Sequence, residues 1–138
     1  MNIRFFNDHI SFELKEKRKI AKWLRSVAEE EKKTIANLSY IFVSDDIMID
    51  INNKYLKHDY STDIITFDYS LDDTVSGEMY ISINTVKENA KDYKVNFYNE
   101  LHRVIVHGLL HLCGHKDETE AEQKEMREKE DKYMKFKI

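Results

Sequence analysis

The chain has little of the residues that usually cross-link or bend a polypeptide: its 138 residues include one cysteine, three glycines and no proline. Cys113 alone cannot form a disulfide within the chain, and this cysteine usage fits a reducing compartment. Apolar runs are only a few residues long, so none can span a bilayer. The opening sequence MNIRFFNDHI lacks the basic and apolar regions of a signal peptide. We therefore expect a cytoplasmic protein that has no membrane partner.

A strong positive charge is also absent, because the formal net charge is −4. This balance argues against a general nucleic-acid coat, and we expect no DNA partner. It does not exclude a local basic face, and a solvated helix face is the simpler interpretation of any basic cluster. The length and the 41% hydrophobic content favour one domain, residues 1–138, with its own core. Such a basic cluster occurs early in the chain, at Lys15, Lys17, Arg18, Lys19, Lys22 and Arg25.

Hydrophobic periodicity predicts strands and helices in alternation, with helices dominating the second half of the chain. A helix begins after Thr119, which forms a capping-box pattern with Glu122. The order of elements indicates a small layered fold of the α/β or α+β class. We predict α+β, with a small mixed β-sheet packed against helices. The predicted strands are 2–7, 38–44, 63–69 and 77–83, and the other predicted helices are 13–32, 45–56, 84–94 and 97–112.

The stretch HGLLHLCGHKD, residues 107–117, concentrates side chains that bind metals. His107 and His111 are four positions apart, so their imidazoles lie on one side of the predicted helix 97–112. That helix is apolar over most of its surface and is expected to be buried, where polar groups without partners are costly. Two histidines at this spacing are a common metal clamp, although ordinary histidines with backbone partners show the same spacing.

A third ligand is predicted beyond a glycine turn. Gly114 can adopt a positive φ and reverse the chain, which brings Asp117 back toward the histidines. The pattern H-x3-H-x2-G-x2-D matches the spacing of zincins, so we predict a zincin-like metal site on a long helix. His115 is the chemical alternative, but its place directly after the turn favours a flanking position. The set His107, His111 and Asp117 suits one zinc ion, or another divalent ion, and leaves a position open for water.

The residue after the first histidine separates two hydrolytic reactions. Zinc proteases of the H-E-x-x-H type carry their general base there, whereas this chain has Gly108. A bound metal would still lower the pKa of a water molecule and stabilise a phosphorane-like transition state. Phosphodiester cleavage therefore fits these residues better, and a small metalloprotease is the alternative.

Three segments resemble the YbeY family of rRNA-maturation endoribonucleases. They are INNKYLKHDYSTDIITF (51–67), which is similar to LN-x-x-YR…TDVLSF, GEMYISINTVKENA (77–90), which is similar to GDI-x-I, and NELHRVIVHGLLHLCGHKDETEAEQKEM (99–126), which is similar to E-x-x-H-x-x-VHG-x-LHL-x-G-Y-D-H…M. The resemblance covers roughly residues 40–130. It implies a cytoplasmic, zinc-dependent endoribonuclease specific for single-stranded RNA. It also implies a role in 16S rRNA 3′-end maturation and ribosome quality control, with the small ribosomal subunit as partner.

The chain departs from the family pattern at positions linked to catalysis. Asp117 stands where the family has its third histidine. Leu56 stands where the family has an arginine thought important for activity, and Lys57 and His58 are the nearby candidate cations, although neither occupies the matching position. Leu56 favours a third hypothesis, a ribosome-associated binding module with a structural or vestigial metal.

The residues that we predict to be catalytic are His107, Glu100 and Lys57. Glu100 projects along the stripe of the histidines, seven positions before His107. It could orient a ligand imidazole or act through water as a base. Equally, it could cap the start of its helix or pair with Arg103. The resemblance also implies that STDIITF, residues 61–67, borders the active cleft.

Overall fold

A mixed four-stranded sheet with the strand order β1-β2-β4-β3 organises the described part of the chain. The structure is a computed structural model that describes residues 2–56 and 62–135. β2 pairs in parallel with β1 and β4, while β3 and β4 form an antiparallel hairpin. The α+β prediction is therefore confirmed. The strands are β1 Asn2–Asp8, β2 Thr34–Val43, β3 Ile64–Asp68 and β4 Thr74–Ser82, and the helices are α1 Lys17–Glu30, α2 Asp45–Leu56, α3 Ile83–Asp92, α4 Phe97–Leu112 and α5 Glu120–Lys135.

The sheet buries side chains on both faces because helices cover each of them. On one face, β2 and β4 contribute alternate residues such as Tyr40 and Met79 to the main core, together with α1, α3, α4 and α5. On the other face, Met48 of α2 packs against Val43 and Ile65. The period-two alternation of the central strands thus separates two apolar layers. These layers fix the sheet against which the histidine-bearing helix lies.

Helix α4 packs close to the sheet through Gly108. A Cβ atom at this position would lie 2.9 Å from Ile64 Cδ1 and 2.9 Å from Met79 Cγ, so only glycine lets the helix approach this closely. The Tyr40 hydroxyl donates a hydrogen bond to the Ile105 carbonyl at 2.8 Å and ties the same helix to β2. Gly108 and Tyr40 therefore set the position of α4 on the sheet.

The largest differences from the predicted boundaries, four residues each, are at the starts of the first helix and the second strand. The first helix begins at Lys17 rather than at residue 13, because Glu16 has a φ of 60° and Leu14 is buried in the core ahead of the helix. The second strand begins at Thr34 rather than at residue 38, and a register shift between Ile35 and Asn37 interrupts its pairing. Packing, which local periodicity does not report, decides both boundaries.

No helix in residues 2–56 and 62–135 combines the length and the apolar character that a bilayer crossing requires.

Candidate metal centre

Three side chains converge at the end of α4. His107 Nε2 and His111 Nε2 each lie 3.3 Å from Asp117 Oδ2. The two imidazole rings are one helical turn apart, with centroids separated by 4.6 Å. One ligand atom from each of the three residues lies within 4.8 Å of the others. The predicted ligand trio is therefore brought together in space.

The spacing of these donors fits a divalent ion. Zinc binds histidine nitrogen and carboxylate oxygen at about 2.0–2.2 Å, so two ligands of a tetrahedral zinc ion are about 3.3–3.5 Å apart. The two separations of 3.3 Å between imidazole nitrogen and carboxylate oxygen agree with that geometry. Two neutral imidazoles and one carboxylate also form a donor set that zinc accepts.

The turn that returns Asp117 depends on Gly114. Helix α4 ends in a Schellman motif, in which Gly114 N–H donates to the His111 carbonyl at 3.0 Å and His115 N–H donates to the Leu110 carbonyl at 3.1 Å. Gly114 has a φ of 103°, a conformation that residues with a Cβ rarely adopt. The glycine predicted to reverse the chain therefore does so.

A carboxylate from α5 contacts the outer nitrogen of the first histidine. His107 Nδ1 lies 2.6 Å from Glu130 Oε2, and Glu130 Oε1 accepts a hydrogen bond from Arg103 at 3.0 Å. Burial would lower the pKa of His107, but its hydrogen bond to Glu130 and the charge of that carboxylate raise the pKa overall. Burial and the neighbouring His107 instead lower the pKa of His111. Arg103 is thus engaged by Glu130, and also by Asp131 at 2.9 Å.

Glu130 is a site residue that sequence reasoning missed. It lies on the inner side of α5, four positions after Met126 and three before Tyr133, and all three residues are buried. A glutamate at helical spacing between two core residues is a signal that periodicity could have detected. Met126 itself belongs to the main core.

His115 points to a different cluster. Its Nε2 lies 2.5 Å from Glu31 Oε1, just beyond the end of α1. The Glu31 carboxylate also contacts the Tyr133 hydroxyl and accepts a hydrogen bond from Lys129 Nζ at 3.0 Å. Burial would raise the pKa of Glu31, but hydrogen bonds from Tyr133, His115 and Lys129 hold it at about 2. His115 therefore flanks the metal centre and anchors the turn that carries Asp117.

Two cavities meet beside His107. A cleft of about 670 Å³ contains the ligand trio and is bordered by β3 and by Leu56 of α2. A second cavity of about 420 Å³ is lined by Glu100 and Arg103. Asp63 and His107 line both cavities. The family resemblance implies that residues 61–67 border the cleft. Residues 62–67, the described part of this segment, do line it.

Glu100 is an acid poised near neutrality. Its residue surface is 4% exposed, and burial together with the charge of Asp63 raises its pKa to about 7. Burial also raises the pKa of Asp63. Glu100 contacts neither the His107 imidazole nor the Arg103 guanidinium; Glu130 makes both of these contacts. Glu100 lines the second cavity, so proton transfer through water remains the hypothesis for a catalytic role.

The structure explains the absence of a protease base at position 108. Gly108 faces Ile64 and Met79 of the sheet rather than the cleft, so a glutamate there would enter the core. Lys57 and His58 lie outside the described residues. Leu56, at the position where the family has arginine, is 48% exposed and lines the cleft.

Comparisons with known proteins agree along nearly the whole chain. The family model described as "Endoribonuclease YbeY" matches residues 2–137. A relative of that name from Flavobacterium psychrophilum is 48% identical over 95% of this chain and 94% of its own length. Another, from Amoebophilus asiaticus, is 46% identical over 96% of this chain and 91% of its own length. The solution structure of a Thermotoga maritima protein matches with a TM-score of 0.69 and 30% identity, covering 97% of this chain and 87% of that one.

Proposed function

The chain belongs to the endoribonuclease YbeY family, and from this premise we propose that it is a metal-dependent endoribonuclease that cleaves phosphodiester bonds in single-stranded RNA. The observation that carries the proposal is the convergence of His107, His111 and Asp117 within a cleft, where each imidazole Nε2 lies 3.3 Å from the Asp117 carboxylate. We propose zinc as the ion, one per chain, held by these three residues. When bound, such an ion supplies a Lewis acid for a phosphoryl oxygen and lowers the pKa of a water molecule.

The residues around the trio have distinct roles in this proposal. An imidazole that binds an ion through Nε2 carries its proton on Nδ1, and His107 can use this N–H to donate a hydrogen bond to Glu130. Glu100 can hold or release a proton at neutral pH, because its pKa is about 7. Glu100 lines one cavity together with His107 and Asp63, so a water molecule there would connect it to the metal centre. Lys57 is the proposed cation for the phosphate.

We extend the proposal to 16S rRNA 3′-end maturation and ribosome quality control, with rRNA in the small ribosomal subunit as the substrate and the cytoplasm as the location. The resemblance of residues 51–67, 77–90 and 99–126 to the family supports this assignment. A metalloprotease is disfavoured because position 108 faces the sheet. A binding module without catalysis is favoured by one observation only, the apolar Leu56 at the rim of the cleft.

A cleavage assay tests the proposal. End-labelled single-stranded RNA, the same sequence as a duplex, and casein are incubated with the protein, with and without chelator. We expect cleavage of the single strand alone, loss of cleavage with chelator and recovery with zinc. The double variant His107→Ala, His111→Ala should be inactive, whereas His9→Ala, which removes an exposed histidine, should be active.

Two results would contradict this function. Undiminished RNA cleavage by metal-free protein would exclude the metal mechanism. RNA or ribosome binding that is unchanged by chelation, without hydrolysis under any condition, would instead support the binding module.

A further inference from the structure

A basic groove lies at the edge of the sheet formed by β1, between that strand and α1. Its volume is about 680 Å³. The metal centre borders β3, which is the opposite edge of the sheet, so the two sites are at least three strand spacings of about 4.8 Å apart, and the path around the protein surface is longer. The residues that line this basic groove are Ile3, Arg4, Phe5, Phe6, Lys17, Arg18, Ala21 and Arg25.

The charged residues of the basic groove are all positive. Arg4, Lys17, Arg18 and Arg25 are exposed, and none forms an ion pair with any residue in the described part of the chain. Four uncompensated positive charges along one groove create a local potential that attracts a polyanion.

The basic groove also offers an aromatic surface and free backbone donors. The Phe6 residue surface is 46% exposed although the ring is large and apolar. β1 is an edge strand, so the N–H groups on its outer side are not used by β2. Cations interleaved with an exposed aromatic ring are the arrangement by which proteins bind single-stranded nucleic acid, with phosphates on the cations and a base on the ring.

We propose that the basic groove is a second binding site for single-stranded RNA, remote from the metal centre. This inference rests on RNA as the proposed substrate but not on the cleavage chemistry. Three of the four cations are arginines, whose planar guanidinium groups pair with phosphate oxygens in a bidentate manner. Because the two sites occupy opposite edges of the sheet, the basic groove contacts only substrates that extend well beyond the scissile bond.

An acidic peptide strand is the competing occupant, because an open edge strand can also accept an extended peptide. RNA is favoured by the charge pattern. Lys17, Arg18 and Arg25 of α1 and Arg4 of β1 all line the groove, and no acidic residue is among its lining residues.

The test compares long and short substrates in one charge-reversal variant. Arg18→Glu with Arg25→Glu changes the basic groove, and Lys87→Glu with Lys124→Glu, at exposed helix positions outside it, is the control with the same change in charge. A substrate of about 30 nucleotides can reach both the metal centre and the basic groove, whereas one of about four nucleotides can reach only the metal centre. Circular dichroism verifies folding, and Arg18→Gln with Arg25→Gln replaces the reversal variant if that one does not fold.

We expect the KM of the groove variant for the long RNA to be about tenfold or more above that of the wild type. The KM of the control variant for the long RNA, and the KM of the groove variant for the short RNA, should equal the wild-type values. The salt dependence of long-RNA binding, measured by fluorescence anisotropy with chelator present, should lose about 0.7 in logarithmic slope for each phosphate contact removed. Equal affinity of groove and control variants for long RNA would overturn the inference. Competition by polyglutamate but not by RNA would assign the groove to an acidic protein segment. If the groove variant binds long RNA less tightly than the control and the wild type cleaves no RNA, the basic groove is supported as a binding site and the proposed cleavage function is refuted.

Discussion

Glu130 on α5 holds the outer nitrogen of His107 on α4, with 2.6 Å between Glu130 Oε2 and His107 Nδ1. This contact joins residues 23 positions apart in sequence. It fixes the orientation of the imidazole so that Nε2 faces Asp117, 3.3 Å away. Carboxylates that contact a ligand histidine in this way set both its tautomer and its basicity toward a metal.

Replacing Glu130 by glutamine should weaken the metal centre without removing a ligand. Glu130→Gln keeps the shape of the side chain but loses the charge that accepts the Nδ1 proton. We expect zinc affinity to fall about 10–100-fold, measured by competition with a chromophoric chelator. Asp131→Asn is the matched control, because Asp131 is the other carboxylate that contacts Arg103 and it does not contact His107. Equal zinc affinity of the two variants would show that Glu130 does not support the ligand.

The third ligand can be tested by exchange. Asp117→Ala should reduce zinc affinity by more than about 100-fold, because even the indirect partners of metal ligands are worth about 10–100-fold. Asp117→His supplies a nitrogen donor at the position where the family pattern has histidine, and we expect it to restore binding. Glu118→Ala, one position along the chain, should bind zinc like the wild type. Isothermal titration with zinc makes the comparison, and normal affinity of Asp117→Ala would remove this residue from the site.

Glu31 should stabilise the protein above acidic pH. Its pKa is about 2 in the folded protein and ordinarily about 4.5, so its stabilisation is present above about pH 4.5 and is lost as the pH falls toward 2. We expect Glu31→Gln to lower the free energy of unfolding by about 1–3 kcal/mol at pH 7 and by less at pH 3. Urea unfolding at both pH values measures this change.

Glu30→Gln is the control for Glu31. Glu30 is half exposed and lies 3.6 Å from Lys132, so its removal should cost less than about 1 kcal/mol. A loss of stability for Glu31→Gln that is no larger than for Glu30→Gln at pH 7 would contradict the role of Glu31 as an anchor for His115.

Glu100 should have the opposite pH dependence. Its folded pKa of about 7 lies above the ordinary value of about 4.5, so the folded state holds its proton more tightly and loses stability as the pH rises through this interval. Glu100→Gln should therefore be more stable than the wild type at pH 8, by about 1–3 kcal/mol, and similar at pH 5. Urea unfolding with chelator present at both pH values provides the measurement. The same difference in stability at the two pH values would show that Glu100 does not titrate in this range.

Much of this architecture follows from local sequence patterns. The predicted bounds of the histidine helix, 97–112, agree with α4, because its apolar period is long and a glycine marks its end. The capping box is also confirmed, since Glu122 N–H donates to Thr119 Oγ1 at 3.1 Å and Thr119 N–H donates to Glu122 Oε1 at 3.0 Å. The resemblance to the family is confirmed by the match over residues 2–137. Short-range spacing was sufficient to predict that His107, His111 and Asp117 lie close together, because all three are within eleven positions.

The rest of the site depends on contacts between distant segments. Glu130 contacts His107 across 23 positions, and Glu31 contacts His115 across 84 positions. Helical periodicity can place Glu130 on the buried side of α5, but it does not identify the residue that Glu130 contacts. The raised pKa of Glu100 arises from burial and from Asp63, which belongs to a different segment. The basic groove likewise combines β1 with α1, so the early cations were visible in the sequence but their common surface was not.

The metal content of the purified protein tests the central claim most directly. The wild type and the double variant His107→Ala, His111→Ala are stripped of metal, incubated with zinc and desalted, and elemental analysis then gives the number of ions per chain. We expect one zinc ion per wild-type chain and none per variant chain. A variant that retains one zinc ion per chain, or a wild type that binds none, would contradict this claim.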